Sequence, residues 1–394
     1  MDTFRLPAPP GLRLPTPSAG EPPPAPPRPS AMPEGEALAA LERALAGPSG
    51  FGTSAARLFL PRETPGAPDR GAPHGSGRVP RLYCPPPARI DDALGREVDD
   101  RLVEWAEQVG IYEGRLDDVR SLSLGRMIML AFAQVDDPDR LLAAAKCTLA
   151  QWATDDYYCD DETAGAVPMD VATNLSLATA AVDPAHLPSA YAPTLEERMR
   201  DDPVLVSLRS STAHLARYAN FEQITKYRHE LSVLFSGYTA EAQWRVSGRT
   251  PQVWEFLMVR QDNSFMPCMV MLDAVGGYEL PVAVYASPRV RRVQTMAASA
   301  SVIVNDLYSM DREDRGSAVN FNLPALIEAE ECCSREEAVA RTVAAHDELM
   351  HQVEEESAAL CATGFAPLQR YLADVWAWLG GNHEWHRTSD RYNG

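Results

Sequence analysis

From residue 91 to the last residues of the 394-residue chain, apolar side chains recur with a period near 3.6. That repeat restricts the fold more than any other feature, because it belongs to amphipathic helices and not to strands. Leu94, Val98, Leu102, Trp105 and Val109 fall on one stripe; Leu142, Ala145, Leu149 and Trp152 form a second, after the stop at Asp136-Asp137-Pro138. Two longer helical stretches are predicted over 288–313 and 335–359. No alternating pattern with hairpin turn pairs competes with them. The expected fold is all-α: a single helical bundle over residues 89–394, without an internal linker or repeat.

Residues 1–88 read differently. Of the 33 prolines, 21 lie within residues 1–87, in runs such as Glu21-Pro-Pro-Pro-Ala-Pro-Pro-Arg-Pro29. Such runs favour extended polyproline II over a packed core. The segment is expected to be a disordered, dispensable proline-rich arm, with a helical turn or two between Glu34 and Ala46, and Pro85-Pro86-Pro87 marks its end.

Charge narrows the function. The net charge is −19, divided as +3 over the first 90 residues and −22 over the rest. A body this acidic is a poor match for nucleic acid, whose binding depends on neutralising phosphates. A phosphorylated ligand remains compatible if multivalent cations accompany it. With only two lysines, Lys146 and Lys226, direct phosphate contacts fall to arginine. Seven scattered cysteines without a Cys-x-x-Cys pair point to a reducing cytoplasm. No signal-peptide layout opens the chain, and no apolar run approaches the ~18 residues of a membrane span.

Two segments carry chemistry. In Asp155-Asp156-Tyr157-Tyr158-Cys159-Asp160-Asp161-Glu162, five of eight side chains are acidic. On an α-helix Asp156 and Asp160 stack, with Asp155 beside them. Like charges this close are best tolerated around a divalent cation, and oxygen-only donors suit Mg²⁺ or Mn²⁺ better than zinc. A solvated helix end accounts for this run equally well. The second segment is Asn305-Asp306-Leu307-Tyr308-Ser309-Met310-Asp311-Arg312-Glu313. Asn305, Ser309 and Glu313, spaced i, i+4 and i+8, form a ridge of amide, hydroxyl and carboxylate oxygens. That set suits an Mg²⁺ ion whose octahedron is completed by water and phosphate oxygens.

Together these segments resemble the bacterial class I terpene synthases, which carry an aspartate-rich motif and a downstream Asn-Asp-x-x-Ser-x-x-x-Glu triad. Asp155, Asp156 and Asp160 match the first motif; Asn305, Ser309 and Glu313 match the second. Arg260, 45 residues before Asn305, stands about where that family keeps a diphosphate-sensing arginine. Arg391-Tyr392 matches its C-terminal Arg-Tyr pair. Within the family the likeness is greatest to the 2-methylisoborneol synthase group, although Arg312 stands where that group usually has lysine.

The resemblance implies a class I terpenoid synthase bundle holding three Mg²⁺ ions, for which Mn²⁺ substitutes. Arg260, Arg312, Arg391 and Tyr392 would grip the diphosphate, and Trp152, Tyr157, Phe265 and Trp385 are candidates to face a carbocation. The implied substrate is 2-methylgeranyl diphosphate, cyclised to 2-methylisoborneol, or to 2-methylenebornane if the last step is deprotonation. Geranyl or farnesyl diphosphate would serve a mono- or sesquiterpene cyclase. A homodimer and a neighbouring geranyl diphosphate C-methyltransferase are implied as well. Gly276-Gly277 marks either a helix break aiming a carbonyl at the cation or a plain helix cap. His346, His351, His383 and His386 read as core or surface histidines. Two further readings stay open: a chain-lengthening prenyltransferase, which typically carries two aspartate-rich motifs, and a non-catalytic acidic helical binding protein.

Overall fold

The computed structural model describes Leu41, Glu42, Leu45 and residues 79–160, 166–167, 169–313 and 321–389, leaving aside the side chains at 160 and 311–313. Asp161, Glu162, Arg391 and Tyr392, singled out from the sequence, lie outside the described residues, as do the side chains of Asp160, Arg312 and Glu313. No strand occurs among the described residues. Helices of eight residues or more are α1 (Asp92–Val109), α2 (Leu124–Ala131), α3 (Pro138–Asp155), α4 (Val171–Val182), α5 (Ala192–Asp201) and α6 (Pro203–Leu215). They continue as α7 (Phe221–Ser247), α8 (Val253–Asp262), α9 (Pro288–Glu313), α10 (Leu323–Glu331), α11 (Arg335–Cys361) and α12 (Ala366–Thr388). The predicted stretches 288–313 and 335–359 are thus α9 and α11.

Local chemistry sets the ends of these helices. Asp137 caps α3 by accepting the Asp139 N–H at 2.9 Å, with Pro138 in the first turn, where its missing N–H costs nothing. Asn220 and Gln223 form a reciprocal capping box at the start of α7, and Ser334 and Glu337 do the same for α11. The stripe read on α1 faces inward, with Val98, Leu102 and Trp105 buried. Helix α3 is buried on nearly every side, and Ala143, Ala144, Ala145, Ala150 and Ala153 keep it slim enough for that position. It lies against α1 and α6, while α9 packs along α11 and α12, and α2 sits between α1 and α12.

Gly380 and Gly381 explain how α12 comes so close to its neighbours. A Cβ on Gly381 would lie 2.5 Å from the Leu130 carbonyl of α2, and one on Gly380 would lie 2.6 Å from the Pro86 carbonyl oxygen. Backbone cannot yield as a flexible side chain can. Two mid-helix glycines, each costing roughly 1 kcal/mol of helix propensity, make this contact possible.

Parts of the proline-rich arm belong to the packing. Leu41 is buried in the main core, and Leu82 in a second cluster with Ile303, Val304 and Leu307 of α9. Tyr83 donates its hydroxyl to Glu354, meets the His351 ring at 3.9 Å with a tilt of 32°, and donates its N–H to Asp347. A chain lacking residues 1–88 is therefore expected to melt roughly 5 °C below one lacking only 1–78, because it loses the burial of Leu82 and the Tyr83 contacts. Thermal unfolding followed by circular dichroism measures the difference, and equal melting points would place residues 79–88 outside the folded unit.

Among the described residues, no helix is long and apolar enough to cross a membrane. All seven cysteines are free thiols.

Candidate active site

Helix α3 does not end in an ordinary α-turn. Residues Asp156–Asp160 form a π-helical turn, whose N–H groups reach back five residues instead of four. The sequence pattern predicts stacking at i, i+4; the wider turn brings the backbone of position 160 below position 155 as well as 156. Asp155 and Asp156 are both partly exposed. Asp156 accepts the Tyr112 hydroxyl at 2.6 Å, and the Tyr112 N–H donates to the Tyr157 hydroxyl at 2.7 Å. Tyr112 adopts φ +55°, a costly backbone for a bulky side chain, and the two tyrosine rings meet edge to face at 5.7 Å. Tyr157 is thereby committed to bracing the turn. Tyr158 donates its hydroxyl to Asp202 at 2.8 Å.

The second segment lies on the last nine residues of α9, Asn305 to Glu313. Asn305 is partly buried, and its Nδ2 lies 3.3 Å from Nε2 of His386. Ser309 is 1% exposed, and its hydroxyl has no hydrogen-bond partner among the described residues. A buried hydroxyl in that condition costs roughly 1–3 kcal/mol unless something else engages it. Asp306, 2% exposed, points elsewhere: it accepts Arg260 Nη2 at 2.7 Å and the Leu323 N–H at 3.1 Å, joining α8, α9 and the start of α10.

A polar chain connects the two segments. Arg245 of α7 donates to the Cys159 carbonyl at 3.4 Å and pairs with Glu241 at 3.5 Å. Glu241 accepts Asn263 Nδ2 at 2.7 Å and lies 4.0 Å from Arg260, which reaches Asp306. Aromatic rings make a second connection: Trp152 of α3 lies 5.9 Å from Trp385, Trp385 lies 4.7 Å from His386, and His386 meets Asn305. Phe265 joins this cluster at 5.4 Å from Trp378 and 6.2 Å from His386. Three of the four aromatics singled out from the sequence therefore share one cluster, and Tyr157 stands apart from it.

Two features escaped the sequence reading. The helical course breaks at Asn263–Phe265, directly after Arg260, where the Asn263 carbonyl accepts Arg260 Nη1 at 3.3 Å. At Gly276-Gly277 a short helix ends at Val275, the Gly276 carbonyl accepts Arg370 at 2.7 Å and Gly277 takes φ +72°. His386 was read as a core histidine; it is fully buried, yet it touches the site through Asn305. Only the distance in sequence hid it, since no local spacing relates it to Asn305.

His383, one turn before, lies 3.5 Å from the Tyr308 hydroxyl. Burial, reinforced by the charge of His346, holds its pKa down at about 4, and burial pushes Tyr308 up to about 12. A depressed histidine contributes stability that is complete above pH 6.5 and is lost as pH falls toward 4. His383→Gln is expected to lose a few degrees less of Tm than the unmodified chain between pH 7 and pH 4.5. Identical pH profiles would show that His383 charges freely in the folded state.

The donors fit a hard cation: carboxylates at Asp155 and Asp156, the Asn305 amide, and a buried Ser309 hydroxyl in want of a partner. Among the described residues, no three His, Cys, Asp or Glu side chains gather closely enough to hold an ion alone. The set depends on amide and hydroxyl oxygens, and the side chains of Asp160 and Glu313 fall outside those described.

Residues 146–352 match the model for terpene synthase family 2, C-terminal metal binding, a span containing both oxygen-rich segments and Arg260. The chain belongs to the class I terpene synthase family and is a terpene cyclase. A 2-methylisoborneol synthase of Streptomyces ambofaciens is 38% identical over 359 residues, covering 89% of this chain and 80% of the relative. One from Streptomyces griseus is 37% identical over 390 residues, covering 98% and 87%. The crystal structure of 2-methylisoborneol synthase from Streptomyces coelicolor A3(2), in complex with Mg²⁺ and 2-fluoroneryl diphosphate, matches with a TM-score of 0.77 at 36% identity. That match covers 80% of this chain and 98% of the other.

Proposed function

We propose that the protein converts 2-methylgeranyl diphosphate and water to 2-methylisoborneol and diphosphate. What carries the reading is a coincidence of two facts. Relatives 37–38% identical over most of the chain are 2-methylisoborneol synthases, and the residues of both motifs occupy connected segments here. The related structure bound to Mg²⁺ and a prenyl diphosphate analogue supports the same substrate class.

In this reading Asp155, Asp156 and Asp160 on one side, and Asn305, Ser309 and Glu313 on the other, hold Mg²⁺. Bound there, Mg²⁺ supplies Lewis acidity that neutralises the charge growing on departing diphosphate. Arg260, Arg312, Arg391 and Tyr392 orient the diphosphate through charge-assisted hydrogen bonds. The Trp152–Trp385–Phe265–Trp378 cluster keeps the neighbouring interior dry and offers ring faces, each worth about 0.5–2 kcal/mol to a nearby cation. Two ring closures and capture of water by the tertiary cation give the alcohol; loss of a proton instead gives 2-methylenebornane. The C11 substrate calls for a C-methyltransferase acting on geranyl diphosphate, and the working form is a cytoplasmic homodimer.

Gas chromatography with mass detection, after incubation with 2-methylgeranyl diphosphate and Mg²⁺, tests the proposal. The expected main product is 2-methylisoborneol. Geranyl diphosphate should be accepted less well, since one methyl group is worth only about 1–3 kcal/mol in an apolar pocket. A longer diphosphate formed with isopentenyl diphosphate would replace the cyclase reading with a prenyltransferase, and no release of diphosphate from any prenyl substrate would sink it.

A further inference from the structure

We propose that His386 is a positioning residue that turns the side-chain oxygen of Asn305 toward the metal. The inference rests on the reading of Asn305 as a metal ligand. His386 is fully buried on α12, and its Nδ1 lies 2.8 Å from the carbonyl oxygen of Asn382, one turn earlier. A carbonyl oxygen can only accept, so Nδ1 carries the proton. In the tautomer with its proton on Nδ1 the ring presents a lone pair at Nε2. That nitrogen lies 3.3 Å from Nδ2 of Asn305. An asparagine amide has a donating end and an accepting end, and a lone pair takes only the donating one. With Nδ2 held by His386, Oδ1 faces away from the ring, and oxygen is the end a hard cation requires.

The ring has little freedom to do otherwise. Trp385 meets it at 4.7 Å and 78°, Phe265 at 6.2 Å and 84°, and Tyr308 at 6.0 Å. Rotating the Asn305 amide by half a turn would set its oxygen against the Nε2 lone pair, leaving two buried acceptors facing each other. His386 thus acts on the ion through the amide, as outer partners of metal ligands commonly do.

The test is Mn²⁺ binding by the full chain in the presence of inorganic diphosphate, followed by the loss of the free-ion electron paramagnetic resonance signal. His386→Leu removes the acceptor and is expected to weaken Mn²⁺ binding about tenfold. His386→Gln, whose side-chain oxygen can accept from Nδ2, should recover most of that loss. In an Asn305→Ala background, His386→Leu should add nothing further. An unchanged affinity in a folded His386→Leu chain, or an equal further loss without Asn305, overturns the positioning role alone. Unchanged binding in Asn305→Ala instead overturns the ligand reading beneath it. Should His386→Leu not fold, nitrogen-15 imidazole spectra of the unmodified chain decide: a proton on Nδ1 of His386 is expected, and a proton on Nε2 overturns the proposal.

Discussion

Replacing Glu313 by glutamine is expected to slow diphosphate release from 2-methylgeranyl diphosphate by about two to three orders of magnitude, while Tm shifts by no more than a degree or two. The size of the effect follows from its position. Glu313 lies two helical turns beyond Asn305 on α9, and in the proposed metal set it is the one full negative charge beside an amide and a hydroxyl. Its replacement keeps the shape and removes that charge, so the proposed site would lose its strongest donor to a hard cation. Malachite-green detection of released phosphate, after coupling to pyrophosphatase, measures the rate. Turnover within fivefold of the unmodified enzyme would remove Glu313 from the metal set.

Arg260→Gln should fail in two separable ways. It removes a cation proposed to grip diphosphate, lowering kcat/KM by a hundredfold or more, on the order of a few kcal/mol. It also strands Asp306, which is 2% exposed and receives Arg260 at 2.7 Å; breaking a buried pair from one side costs about 3–5 kcal/mol. The double variant Arg260→Gln with Asp306→Asn separates these losses. Its melting temperature should return most of the way, because no charge is left buried alone, whereas its activity should stay low. Recovery of both would make Arg260 a structural arginine and no more, and loss of neither in the single variant would exclude both roles.

How far the residues announced themselves depended on the distance over which each pattern acts. The stripes of α1 and α3 and the extents of α9 and α11 were legible because helix periodicity and capping are written within a few positions. The two oxygen-rich segments were legible for the same reason. The π-turn was not, since Asp156–Asp160 contains nothing that a regular α-helix would refuse. Nothing local assigned a role to Asp306, because the partner that makes it a latch, Arg260, stands 46 residues upstream. Tyr112 sits 44 residues before the Asp156 it supports, and His386 sits 81 residues after Asn305. Leu82 and Tyr83 were hidden by composition, since a proline-rich segment gives no sign of which few side chains dock.

The glycine pair of α12 has a consequence for how such a cyclase can diversify. With Leu130 on one side and Pro86 on the other, the helix can neither slide nor rotate without breaking both contacts. Trp378, Trp385 and His386 share that helix, so their mutual placement is inherited as a block. Variation in that cluster is therefore best sought outside α12, around Phe265 and the break after Arg260, where the helical course is already interrupted.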